Sequence, residues 1–258
     1  IAPLGGAPQG EAAEVVIGLW DVSRQTELER LQSDMLNIVS HELRTPLSKI
    51  RMAAEKAADE PQTSGRSREW LRVISGETRN LTRFVDNMLD AARVSAGQVN
   101  VGAEPVTLLP LLRQALNAFS DARTFDVEAE PNLPFVLGDR QKIFTILRNL
   151  VENAVKYSLA DSPITIRLAT AEAQWVVVSI NNQGKVIPPQ QIDRMFDRFY
   201  RLDQKADQEV YGYGLGLYIA RGFTEAQNGT LRVESDSARG TTFYLTLPHY
   251  VVKELSDE

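Results

Sequence analysis

Hydrophobic spacing divides the chain into a loose start, a helical stretch and a mixed region. Ile1 to Gly10 is rich in Gly, Pro and Ala and predicts an irregular segment. Glu14 to Ser23 is β-branched and aromatic, which predicts a strand ending at a polar break, with Ser23 as the N-cap of a following helix. From there apolar residues recur every three or four positions. Leu28, Leu31, Met35 and Ile38 form a coiled-coil seam. Asp59 to Gly65, with its Pro, Ser and Gly, reads as a helix–helix connection. The period resumes over 67–95 with Leu71, Ile74, Thr78, Leu81, Val85, Met88 and Ala92, and Gly97 ends it. Two antiparallel helices cannot bury such seams alone. Two hairpins together make a four-helix bundle, so the pattern predicts a homodimer.

Beyond Gly97 short strands and helices alternate. Strands are predicted near 99–107, 124–129, 164–170, 174–181, 230–236 and 241–247, and helices near 108–120, 139–158 and 214–228. Their order lacks regular βαβ units, which suggests helices layered on one face of a mixed sheet. The expected fold class is α+β, a dimerising helical hairpin followed by an α/β sandwich. The expected organisation is 1–23 as the end of an upstream sensor or linker, 24–97 as the hairpin, 98–250 as the sandwich and 251–258 as a tail.

Composition narrows the chemistry. The 258 residues carry a net charge of −6, which argues against a nucleic-acid surface, and no cysteine, which excludes disulfides, thiol nucleophiles and thiolate metal sites. No apolar run approaches the roughly 20 residues that span a bilayer. The chain as given therefore reads as soluble. It begins at Ile1 rather than Met, so any targeting segment or membrane anchor is expected upstream.

One of only two histidines, His41, lies inside the first helical pattern in Ser40-His41-Glu42-Leu43-Arg44-Thr45-Pro46-Leu47. A neutral imidazole nitrogen is a nucleophile near pH 7 and can accept a phosphoryl group. Glu42 is placed to orient the ring or take its proton. Thr45 lies one turn on, on the same helix face as His41. Pro46 lacks an N–H and predicts a bend just past His41. Further on, Asn149, Asn153 and Lys156 share a helix face, where amide oxygens suit a hydrated Mg²⁺ and the lysine suits phosphate. Arg198 and Arg201 carry guanidinium forks that match phosphate oxygens. Gly212, Gly214 and Gly216 precede a helix, where backbone amides and the helix dipole favour a polyphosphate. The polar run from Arg201 to Glu209 suits a lid.

The string from Ser40 to Leu47 closely resembles the phosphoacceptor box of two-component sensor histidine kinases. Four later stretches are similar, in the same order, to the boxes of that family's ATP-binding domain. Leu147 to Ser158, with Asn149, Asn153, Lys156 and Tyr157, resembles the N-box, whose second asparagine, here Asn153, reaches Mg²⁺. Ile180 to Pro188 resembles the G1 box, Met195 to Arg201 the F-box, and Gly212 to Leu217, with Leu215 and Leu217, the G2 box. Gly240, Thr241 and Thr242 look like the closing glycine–threonine element.

The resemblance spans roughly 28–248 and implies a catalytic domain of the Bergerat type using ATP and Mg²⁺. It implies transfer of phosphate to His41 and on to an aspartate of a response-regulator receiver domain, with Thr45 assisting a reverse phosphatase reaction. It further implies a second copy of the chain as partner and a sensor in cis, which residues 14–23 resemble as the final strand of a PAS-type domain. Two positions depart from the G1 pattern. Asn182 stands where the family's adenine-recognising aspartate would be, and Val186 replaces its second glycine, while Gly184 is kept. The lost charge weakens a buried polar contact, and Val disfavours positive φ, so the loop is expected to differ locally. These departures leave open a pseudokinase or phosphatase-only scaffold. An ATPase of the gyrase or chaperone type is disfavoured by the His41 box, and a coiled-coil adaptor leaves the glycine loop unexplained.

Overall fold

The computed structural model describes Val39 and residues 43–57, 66–120, 123–202 and 213–250. The strand expected at 14–23, the seam from Leu28 to Ile38, His41, Glu42, the connection at 59–65 and most of the lid stretch lie outside the described residues. The chain forms two compact units, Ile1–Leu81 and Thr82–Glu258.

In the first unit, helix α1 (43–57) runs through Pro46 and pairs with the first part of α2 (Arg66–Ser95). The upstream side of the expected bend is not described. Lys49 Nζ meets Glu77 Oε1 at 3.4 Å, and the Lys56 ammonium lies 4.7 Å from the Trp70 ring centre. As the number rises along α1 it falls along α2, so the pair is antiparallel. Leu71 and Thr78 of the predicted seam are exposed within the single chain.

The second unit begins with the last turns of α2, where Val85, Leu89 and Ala92 are exposed and Phe84 and Ala91 are buried. The helix closes with Gly97 N–H donating to Val94 O at 3.1 Å and Gln98 N–H to Arg93 O at 2.9 Å. Strand β1 (Glu104–Val106) pairs antiparallel with β3 (Val136–Gly138), a short strand that the pattern did not reveal. The main sheet has the order β2-β4-β5-β7-β6, from β2 (Phe125–Ala129), β4 (Ile164–Ala171), β5 (Trp175–Asn182), β6 (Thr230–Asp236) and β7 (Gly240–Pro248). Only the β2–β4 pair is parallel.

Helices α3 (Leu108–Asn117), α4 (Arg140–Tyr157) and α6 (Gly216–Glu225) share one core with the sheet, and α5 (Pro189–Ile192) is a single turn. The period of two makes one sheet face apolar. Val176, Val178 and Ile180 of β5 and Phe243, Leu245 and Leu247 of β7 are buried against helix residues such as Ile143, Ile146, Leu147 and Leu150. The expected layering is therefore present. Predicted elements shorten at their ends: the strand expected at 99–107 pairs only over 104–106, and the helix expected at 214–228 is helical over 216–225. Asp139 fixes the start of α4, its Oδ1 accepting from the N–H groups of Gln141 and Lys142, both at 3.0 Å.

Candidate functional site

The buried row of β5 ends in a polar residue. After Val176, Val178 and Ile180 comes Asn182, only 3 % exposed, with Thr241 of β7 as its cross-strand partner. The polar members of α4 lie over this end of the sheet, and the glycine turn before α6 closes the side. The result is a cavity of about 430 Å³.

Its polar wall comes from α4. Asn149, Asn153, Lys156 and Tyr157 all line it. Asn149 is buried, and its Nδ2 has no hydrogen-bond partner among the described residues. The floor is Asn182 and Thr241, and the apolar side includes Ile187, Met195 and Phe243. Gly214, Leu215, Gly216, Leu217 and Arg201 complete the rim, while Gly212 lies outside the described residues.

Two glycines are dictated by geometry. Gly214 has φ +65°, and a β-carbon there would fall 2.7 Å from the Phe199 carbonyl carbon. Gly184 does not line the cavity but supports its edge. It bridges to Ser158, and a β-carbon on it would overlap the Tyr157 carbonyl oxygen. Leu159 N–H also donates to Gln183 O at 2.7 Å, so the turn after β5 is fastened to the end of α4. Val186 lines the cavity and is not among the residues with positive φ, so the turn avoids the conformation a second glycine would have allowed.

Helix α6 begins at Gly216, and its N-cap residue Leu215 offers no side-chain capping bond. Among the described residues no side chain caps the first-turn N–H groups, where the helix dipole favours an anion. A β-carbon at Gly216 would lie 3.4 Å from Asn149 Oδ1, so the helix start and the buried amide are neighbours.

Other proposed residues sit elsewhere. Arg198 does not line the cavity. Its Nη1 donates to Ser95 Oγ at 3.1 Å and its guanidinium lies 5.6 Å from the Tyr218 ring centre. Thr242 points to the opposite sheet face from Thr241, where its Oγ1 accepts from Asn181 Nδ2 at 2.8 Å. Thr45 is an exposed residue of α1 in the first unit.

Among the lining residues not singled out from sequence are three polar ones on α2 and α4. Arg83 and Asn87 of α2 line the cavity, as does Glu152 of α4. Glu152 Oε1 receives Lys156 Nζ at 2.8 Å, and its Oε2 lies 3.5 Å from Arg83 Nη1. Burial pushes the Glu152 carboxyl up, but the Lys156 ammonium, its hydrogen bond and the Arg83 and Arg148 charges outweigh it and hold the group below the usual carboxylate range. The signal for this wall was faint: Phe84 and Ala91 repeat at seven on a different face of α2 from the seam. Phe84 packs its ring 4.3 Å from Tyr213, centre to centre.

Among the described residues no cluster of three acidic or imidazole side chains is placed to hold a metal. Such a donor set, amides without a carboxylate cage, fits a hard cation that keeps water and phosphate oxygens as ligands.

Residues 31–97 match the family described as the His Kinase A (phospho-acceptor) domain, and residues 138–251 match the histidine kinase-, DNA gyrase B- and HSP90-like ATPases. The chain is 30 % identical over 248 residues to the sensor protein SrrB of Staphylococcus aureus strain N315, covering 93 % of this chain and 42 % of that protein. It is 28 % identical over 246 residues to the sensor histidine kinase WalK of Bacillus subtilis strain 168, covering 93 % of this chain and 40 % of the relative. The chain thus spans about two fifths of the length of these curated relatives. Among solved structures, the mycobacterial sensor histidine kinase MprB matches with a TM-score of 0.52 at 28 % identity, over 58 % of this chain and all of that one.

Proposed function

Because the chain belongs to the two-component sensor histidine kinases, we propose that it is a kinase core that phosphorylates His41 from Mg-ATP and passes the phosphoryl group to a response-regulator aspartate. The observation that carries this is convergence. Stretches around Asn149–Tyr157, Asn182–Pro188 and Gly214–Leu217, far apart in sequence, line one cavity whose character passes from an amide floor to a helix N-terminus. An adenine fits the Asn182 and Thr241 end, and a triphosphate fits the end formed by Gly214, Gly216 and Lys156.

Asn153 is the residue we assign to Mg²⁺, and Asn149 is assigned to the nucleotide. When bound, the ion would neutralise charge spread over the phosphates. Lys156 and the first-turn N–H groups of α6 hold the polyphosphate. The lone pair of one imidazole nitrogen of His41 forms the N–P bond as the bond from the γ-phosphorus to the ADP oxygen breaks. Glu42 orients the ring and holds its proton. Catalysis on this reading is positioning plus charge stabilisation. Thr45, exposed on α1, is assigned to the reverse reaction, in which water attacks the regulator's acyl phosphate.

The proposed organisation remains 24–97 for dimerisation and phosphoacceptance and 98–250 for nucleotide binding. Exposed apolar side chains at the heptad positions Leu71 and Val85, and at Leu89 one turn after Val85, support burial against a second copy. No helix of the described residues is long and apolar enough to cross a membrane. Anchoring, and a sensor in cis, belong on this proposal to the portion of the relatives that this chain does not span.

Incubation with γ-labelled ATP tests the assignment. Acid-labile label is expected on the wild-type chain and not on His41→Gln. Label that survives the substitution overturns it, and saturable Mg-dependent binding of ATP excludes the scaffold reading.

A further inference from the structure

Two neighbouring asparagines at the end of β5 are held very differently. Asn181 Nδ2 donates to Thr242 Oγ1 at 2.8 Å and to Arg239 O at 2.9 Å, which fixes which end of its amide is nitrogen. Asn182, on the opposite face, lines the cavity, and no side-chain hydrogen bond to another described residue fixes its amide. Its backbone is pinned by the β7 pairing at Thr241, so the group is positioned but not oriented.

An amide differs from a carboxylate here in one respect that matters. A carboxylate only accepts hydrogen bonds, whereas an Asn side chain both accepts and donates, and a half-turn of its last torsion exchanges the two. A purine bearing an amino group at position 6 offers a donor beside the ring acceptor N1. A purine bearing an oxygen at position 6 offers an acceptor beside the N1–H donor. The Asn182 amide meets the first with its oxygen on the amino group and its nitrogen toward N1. After a half-turn it meets the second with its nitrogen on the oxygen and its oxygen toward N1–H. A carboxylate at the same position would repel the 6-oxo edge.

Resting on the histidine-kinase reading above, we propose that Asn182 is a specificity-determining residue that makes this cavity tolerant of both 6-amino and 6-oxo purine triphosphates. The base is selected by the apolar slot around Ile187, Met195 and Phe243 and by shape, not by charge at its 6-position. A mismatched bidentate pairing weakens binding by roughly tenfold to a hundredfold. A carboxylate at 182 therefore reinstates discrimination of that order, and the amide removes it.

Calorimetric titration of the chain with Mg-ATP and Mg-GTP reads this directly, without turnover. For the wild type the two dissociation constants are expected within about tenfold of each other. For Asn182→Asp the preference for ATP is expected to widen at least tenfold further, mainly through lost GTP affinity. Asn182→Ala is expected to weaken both nucleotides together and leave their ratio near that of the wild type. A wild-type chain that binds ATP more than about a hundredfold tighter than GTP overturns this inference and leaves the kinase reading standing. An Asn182→Asp ratio equal to that of the wild type also overturns it. Binding of neither nucleotide overturns the kinase reading and this inference with it.

Discussion

Replacing Glu152 by Gln tests the charged wall of the cavity, because the change keeps shape and removes one charge. The Glu152 side chain is 16 % exposed, Lys156 24 % and Arg83 37 %. Breaking a fully buried pair by removing one partner costs about 3–5 kcal/mol. The Arg83 contact is long and more than a third exposed, so solvent screening reduces it to about 0–1 kcal/mol. The Lys156 contact is short and mostly buried, but its cation still reaches water and Gln can still accept a hydrogen bond. About 2 kcal/mol in total is the resulting expectation. For a domain of this size that corresponds to a lowering of Tm by about 4–8 °C.

The effect depends on pH with a definite sign. The folded carboxyl has its pKa lowered, so its stabilisation is present above the unfolded value and fades as pH falls through the folded one. Thermal unfolding followed by circular dichroism should show the wild type ahead of Glu152→Gln at pH 7, with the gap closing in acid as the native carboxyl protonates. A gap that is absent at pH 7, or that stays constant into acid, refutes the reasoning. The same substitution frees Lys156 from its internal partner, so affinity for a triphosphate should rise while stability falls. Both quantities falling together would mean that Lys156 does not serve the ligand.

Three further outcomes follow. Gly214→Ala, at φ +65° and facing the Phe199 backbone, should cost about 1–3 kcal/mol and weaken ATP at least about tenfold, read by thermal unfolding and titration. Asp139→Ala removes the cap of α4 and the partner of Lys142 Nζ at 2.8 Å, and should lower the urea midpoint by the equivalent of about 1–2 kcal/mol with the m-value unchanged. Phe84→Ala empties a fully buried site against Tyr213 and should cost about 3–5 kcal/mol by the same denaturant measurement.

Sequence carried the fold where periodicity was sustained. The period of two through Val176, Val178 and Ile180 announced β5 and even the face on which Asn182 lies. It also explains why Thr241 reaches the cavity and Thr242 does not. Short elements escaped, because three residues such as Val136–Gly138 hold a strand only through distant partners, β1 and the bridge to His249. Arg198 illustrates a different limit. A guanidinium fork suits phosphate, but it suits Ser95 Oγ and a tyrosine ring as well, and only packing decides among them. Arg83 and Asn87 were hidden because a heptad register on α2 names one seam, while the opposing face that meets the cavity carries just two buried residues, Phe84 and Ala91.

The fastening of Gly184 to Ser158 and of Leu159 to Gln183 has a consequence for evolution by insertion. On the proposed reading, Asn182 at the base and Lys156 at the phosphates belong to one block whose span is fixed like the jaws of a locked caliper. Length can therefore vary elsewhere in the sequence, as in the polar run from Arg201 to Glu209, without altering what the caliper measures. A ligand too short or too long for that span is turned away by distance, before any question of its charge arises.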